Sequence, residues 1–255
     1  MRRKAGLFLA AALIASVMAF AAPSVASAYW VDAAVGGWAY DPSGDMSYKG
    51  DSLDLESDLG FEDKSGAMVR AKFDIPTPLP NLYFMATPMS FEGAGLKGFR
   101  FGDVIFNPYV PFDSKLDINQ YDIALFYAVP LLQTASLNTL NIEYGINVKL
   151  LDVEAEIRQD ILGLNEKKSL NAPVPMVYLA AQFRPVDALS LEAEVRGISF
   201  SGNRFMDYIG RVKLLPMGPV TFSVGYRGEN LKIDKDDLDV DVSVQGPFIE
   251  LGFEF

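Results

Sequence analysis

Carboxylates and cations spaced two residues apart are the groups in this 255-residue sequence best placed to do chemistry, because histidine and cysteine are both absent. Without imidazole no side chain ordinarily titrates near neutrality, which removes His-dependent general-base catalysis. Without cysteine there is no disulfide and no acylated Cys anchor. Glu192 and Glu194 could in principle share acid–base work, yet they alternate along one face with Ser190 and Arg196, which points to a charge-balanced face rather than a catalytic pair. Two acidic clusters offer hard oxygen ligands of the kind calcium takes. One holds Asp51, Asp54, Glu56, Asp58, Glu62 and Asp63, and the other Asp234, Asp236, Asp237, Asp239 and Asp241. Neither has the Gly and terminal Glu spacing of a calcium loop, so solvated acidic loops are expected. Asp51, Asp54, Asp58, Asp236, Asp237 and Asp239 remain weak divalent-cation candidates. No cofactor is called for, since Gly36-Gly37 lacks the strand-to-helix setting of a nucleotide loop and suits close strand packing instead.

The elements that carry these groups follow from where the chain is sent. Arg2, Arg3 and Lys4 precede an uncharged run from Ala5 to Ala22 and a small-residue site, Ala26-Ser27-Ala28. That order is a secretory signal peptide, with residues 1–28 removed and a single domain left over 29–255. Removing it takes away three cations and no acid, so the formal charge goes from −11 to −14. Nucleic acid, which demands clustered positive charge, is an unsuitable partner. No later segment supplies the roughly eighteen consecutive apolar residues of a spanning helix, yet half of the residues are apolar.

Those apolar residues recur with period two. Ten segments of about ten residues read as strands, at 30–40, 67–75, 81–91, 118–129, 139–151, 175–184, 189–200, 205–215, 219–229 and 247–255. At a tilt near 40° such a strand rises roughly 25 Å, the height of the apolar band of a transmembrane barrel. Leu189, Leu191, Ala193 and Val195 alternate with Ser190, Glu192, Glu194 and Arg196; Val220, Phe222, Val224 and Tyr226 alternate with Thr221, Ser223, Gly225 and Arg227. The apolar face of each segment carries no ionised side chain. The opposite faces mix cations (Arg70, Lys72, Lys149, Arg184, Arg196, Arg211, Lys213, Arg227) with acids (Asp32, Asp74, Asp122, Glu143, Glu192, Glu194, Glu250, Glu254), as a lumen crossed by ion pairs requires.

Connections alternate between long (41–66, 92–117, 152–174, 201–204, 230–246) and short, proline-bearing ones (76–80, 130–138, 185–188, 216–218), with the long ones expected outside the cell. The expected fold is all-β: a closed up-and-down antiparallel transmembrane barrel of about ten strands (8–12). Aromatic residues such as Tyr121, Tyr127, Tyr208 and Tyr226 fall near strand ends, where rings favour the headgroup level. A soluble β-sandwich or lipocalin-like barrel, which turns its apolar face inward, is the competing architecture.

Phe248, Phe253 and a terminal Phe255 resemble the sorting signal that outer-membrane barrels present in their last strand. Gly36-Gly37-Trp38, the stretch from Asp51 to Gly60, Gly197 to Asn203, and Asp237 to Asp241 before Gly246-Pro247-Phe248 resemble the family of small Gly-Gly outer-membrane β-barrel proteins. The likeness covers residues 29–255, with a Phe- and Gly-rich second loop longer than the family pattern. It implies a barrel in the outer membrane of a Gram-negative bacterium, delivered by the barrel-assembly machinery, surrounded by lipid and lipopolysaccharide, and without an assigned activity. Ten strands leave a narrow or plugged lumen. The expected function is therefore a non-enzymatic structural or surface-interaction role, its loops presenting acidic and aromatic groups. The alternatives are a narrow channel for small solutes or ions and a soluble periplasmic ligand-binding barrel.

Overall fold

The computed structural model describes residues 30–255 except 77, 216, 217, 236 and 237. The expected signal peptide and two cation candidates, Asp236 and Asp237, lie outside the described residues. In chain order the strands are β1 (Trp30–Tyr48), β2 (Leu53–Asp54), β3 (Lys64–Asp74), β4 (Asn81–Gly95), β5 (Phe99–Phe101), β6 (Val104–Phe106), β7 (Phe112–Ala128), β8 (Leu140–Gln159), β9 (Leu164–Val186), β10 (Leu189–Phe200), β11 (Asn203–Leu214), β12 (Val220–Lys235) and β13 (Leu238–Glu254). A single helical turn, α1 (Leu132–Ala135), sits between β7 and β8. The ten long strands form one antiparallel meander, and β13 returns to pair with β1, so the sheet closes into a barrel. β2 adds to β1 from within the first loop, and β5 with β6 forms a separate hairpin in the second.

The strands outrun the membrane. β8 has 20 residues and β9 has 23; at roughly 3.3 Å per residue and a tilt near 40°, β8 alone climbs about 50 Å, twice the height of an apolar band. The segments 152–174 and 230–246, expected as loops, are instead the upper parts of the β8–β9 and β12–β13 hairpins. The first of these turns on a 3-10 turn, Asp160–Leu162, followed by Gly163 at φ 65°.

The physical reason lies in β8. From Leu140 to Leu150 the even residues are apolar and face outward, while Glu143, Asn147 and Lys149 are buried. Beyond Leu150 the even positions become Asp152, Glu154, Glu156 and Arg158, and the odd ones, Leu151, Val153, Ala155 and Ile157, turn apolar while still facing inward. The backbone never changes register, but the polarity of its two faces exchanges. β7 does the same between Tyr121 and Ile118, and β13 between Ile249 and Val244. The lower storey is thus a membrane barrel, with apolar groups out and charge in. The upper storey has the inward apolar face of a soluble barrel.

Gly36 explains one half of the Gly-Gly motif. A Cβ there would lie 2.0 Å from the Ile249 carbonyl oxygen on β13, whereas at Gly37 only the Gly66 carbonyl oxygen comes as near as 4.0 Å. Close strand packing is required at the first glycine and not at the second.

Candidate functional site

Side chains of alternate residues on nearly every strand cross the lower lumen above a cavity of about 410 Å³ at its inner mouth, and their charges converge because period two aims them at one axis. At the inner end, Lys213 Nζ meets Asp32 Oδ2 at 2.7 Å, Glu254 Oε2 at 3.0 Å and Glu192 Oε1 at 3.1 Å. Arg184 Nη2 donates to Glu254 Oε1 at 2.6 Å. One layer up, Arg70 bridges Asp32 (2.8 Å) and Glu250 (3.1 Å), and Arg211 bridges Glu192 (3.0 Å) and Glu194 (2.9 Å). Lys72 pairs with Glu143 at 2.8 Å under the rings of Tyr83, Phe126 and Tyr178, and the Tyr178 hydroxyl donates to the same carboxylate at 2.8 Å.

Arg196 joins this layer to the next, with Glu194 Oε2 at 2.7 Å on one side and Asp207 Oδ2 at 3.4 Å on the other. Asp207 also receives Lys149 (3.1 Å) and Arg227 (2.9 Å), and Glu229 receives the same two cations at 2.8 and 2.7 Å. Asp122 completes the Lys149 shell at 3.0 Å. Arg227 lies 4.8 Å from the Trp38 ring and donates to Thr87 Oγ1 at 2.6 Å. Lys149, Arg196, Asp207 and Arg227 are all 0% exposed. Charges removed from water this completely are tolerated only when paired and hydrogen-bonded.

Of the lumen residues expected from sequence, Asp74 alone stands apart: it is half-buried at the inner mouth and makes no salt bridge among the described residues. Asp207 and Glu229, which hold the upper layer together, were not among the expected set. The signal was present, since Asp207 shares the parity of Arg211 and Lys213, and Glu229 that of Arg227. Both lie toward the outer ends of the expected strands, where the apolar face gives way to charge.

Above Trp38 the lumen is apolar and is filled from the loops. Leu53, Leu55, Leu59 and Phe61 of the first loop, and Phe99, Phe101 and Phe106 of the second, are buried with Phe91 and Phe112 of the wall. Phe99 stacks on Phe106 and meets Phe112 edge-on, both at 5.0 Å between ring centres. The expected display of aromatic loop residues holds for Tyr109, which is exposed, and is corrected for these rings: they point down into the barrel, because an apolar upper wall leaves them a dry place to go.

The acidic loop residues serve that lid. Asp54 Oδ1 accepts the Ser57 backbone N–H (2.6 Å), the Ser57 hydroxyl (2.8 Å) and the Glu56 N–H (3.1 Å). Those bonds hold the Asp54 carboxyl below its usual pKa. Asp51 Oδ2 accepts the Arg100 N–H at 2.8 Å, tying the first loop to the second, and Asp58 pairs with Lys97 at 2.5 Å. Asp239 faces outward on β13, opposite Ser47. No three acidic groups among the described residues are placed to hold a metal ion. Of the terminal aromatics, Phe253 and Phe255 stack on the outer face (6.3 Å, interplanar 6°), whereas Phe248 turns inward and is buried.

No protein-family model matches the chain, and no curated protein matches it. Among solved structures, the outer-membrane protease OmpT from Escherichia coli aligns over 92% of this chain and 99% of its own, with TM-score 0.50 and 8% identity. The fold is that of an outer-membrane β-barrel. Ail, the attachment invasion locus protein of Yersinia pestis, aligns at TM-score 0.39 and 10% identity over 89% of this chain and 99% of its own. Neisserial surface protein A aligns at 0.35 and 11% over 91% of this chain and all of its own. At such identities the likeness speaks of architecture alone.

Proposed function

We propose that this chain is a non-enzymatic barrel of the Gram-negative outer membrane, closed to passage, with a structural or surface-interaction role carried by its upper storey. The observation that supports this reading is the double obstruction of the lumen. A buried ion-pair network spans the lower storey, and an apolar lid fills much of the upper one. Opening a path for ions would strip paired charges of their partners, at several kcal/mol for each one left buried alone. In the same proposal, residues 1–28 are a cleaved leader, 29–255 one domain of the small Gly-Gly barrel family, and lipid, lipopolysaccharide and the barrel-assembly machinery its surroundings. The outward charges of the upper storey, Asp152, Glu156 and Arg158 among them, are the surface such a role would use.

Planar-bilayer recording of purified, refolded protein tests the closed lumen. We expect no unitary conductance at neutral pH. Reproducible single-channel steps whose size changes in Arg196→Ala or Arg227→Ala protein would establish the narrow channel instead.

A further inference from the structure

The apolar lid does not fill the upper storey completely. Between the lid and the β8, β9, β12 and β13 walls there remains a cavity of about 210 Å³. Met46, Met89, Leu151, Phe205, Leu231 and Val242 give it an almost wholly apolar lining. Its floor touches Gln120 and Glu229, but their polar groups are already engaged in the plug: Gln120 Nε2 donates to Glu229 Oε2 at 2.7 Å, and Lys149 donates to Gln120 Oε1 and Glu229 Oε1, both at 2.8 Å. So apolar a lining holds water poorly, since a water molecule needs two to four polar partners, and apolar cavities of about 150 Å³ take up benzene or xenon. Here the volume leaves room for a ring with a short alkyl substituent.

The mouth is also defined. On the β10 side, the β9–β10 register runs only to Gly197↔Val177, so the outer part of β9 rises past the end of the short β10–β11 hairpin. Lys168, on that outer part, donates to the Tyr48 hydroxyl at 3.0 Å and lies 4.8 Å from its ring, and both residues border the cavity. This pair is exposed and links β9 to β1 above the void. It is a contact that a small molecule could pass by breaking one hydrogen bond at the surface.

We propose that the upper storey binds a small uncharged apolar molecule, of the size of a single ring with a short alkyl chain, in the cavity above the ion-pair plug. Recognition is by volume and desolvation, since the lining is almost wholly apolar and the polar groups of its floor are engaged in the plug. Because the plug seals the cavity from below, the site takes up its ligand from the outer side and returns it there. This inference goes beyond the closed-barrel reading and stands on a different region, so conductance and binding fail independently.

The test uses the full barrel in lipid nanodiscs with 13C-methyl-labelled methionine, titrated with ethylbenzene. Met46 and Met89 line the cavity, whereas Met85 lies in the lower storey beside Tyr83 and serves as the internal control. We expect saturable shifts of the Met46 and Met89 methyl signals with Met85 unmoved. In Val153→Phe and Val242→Phe, which fill the void from opposite walls, binding should weaken at least tenfold; two variants are used so that one misfolded protein does not end the test. Equal shifts in both filled variants, or no shift in folded wild-type protein, would overturn the proposal. So would contacts from nanodisc acyl chains to Met46 that ethylbenzene fails to displace, since the void would then belong to membrane lipid.

Discussion

The two storeys of this barrel are built on the same strands, apart from the short β10–β11 hairpin, and solve the same problem in opposite ways. Below, the wall faces hydrocarbon, so apolar side chains turn outward and the ionisable ones are driven inside, where they must neutralise one another. Above, the wall faces water, so Asp152, Glu156 and Arg158 point outward and the interior is packed with Phe, Leu and Met. The difference teaches that side-chain parity is fixed by the backbone, while the meaning of each parity is fixed by the solvent at that height. Solvent polarity, rather than any break in hydrogen bonding, marks where the membrane ends along a continuous strand.

The largest effect should come from the lower storey. Asp207 is shared by Lys149, Arg196 and Arg227, so Asp207→Asn keeps the shape but removes the charge that all three face. We expect a loss of about 3–5 kcal/mol, the cost of an unpaired buried charge, read as a lowered urea midpoint for protein refolded into vesicles. A loss below about 1 kcal/mol would mean that water already screens the network, because well-solvated pairs contribute that little.

In the upper storey, Phe99→Ala should cost about 3 kcal/mol, the low end for a buried Phe, since a lid made of loops can partly collapse. The two variants should also fail differently. Asp207→Asn destabilises the barrel as a whole, while Phe99→Ala should loosen the lid and speed proteolysis within residues 49–63 and 96–111 before the barrel itself unfolds.

A paired substitution tests the exchange of faces directly. Val224 points outward in the lower storey and Asp152 outward in the upper one. Arginine at Val224 should cost about 2–4 kcal/mol if the site lies near the bilayer midplane, whereas arginine at Asp152 should stay within about 0.5 kcal/mol, as for an ordinary surface site. Similar costs at both positions would mean that the strands meet one solvent throughout.

This exchange also separates what was legible in the sequence from what was not. The lower half of every strand was readable, because a transmembrane barrel is recognised by an uncharged outward face, and Leu140 to Leu150 shows one plainly. Residues 152–174 and 230–246 read as loops because charge enters the face that is lipid-facing below. Each of these stretches is nonetheless a good alternating strand, with its apolar residues turned inward and its charged ones outward. Asp207 and Glu229 fell at the seam between the halves. The lid was hidden for another reason: nothing local shows that Leu53, Leu55, Leu59 and Phe61 fold back through the mouth, since that depends on the space left by strands distant in sequence.

The smallest predicted effect concerns the loop acid that the sequence offered as a cation ligand. Asp54 spends its carboxylate on Ser57 and Glu56 donors, which favours the ionised form and holds its pKa below the usual value. A carboxyl with a depressed folded-state pKa stabilises the fold at pH above its unfolded value, and that contribution disappears as pH falls through the lowered one. Acidification below the ordinary carboxylate range should therefore loosen the first loop. Asp54→Ala should give the same loosening at neutral pH, at about 1 kcal/mol for hydrogen bonds at an accessible site, seen as faster amide exchange at Leu59 and Gly60. If added calcium instead slowed that exchange in wild-type protein and not in Asp54→Ala, the carboxylate would be a metal ligand after all, and the lid would owe its order to an ion rather than to the turn.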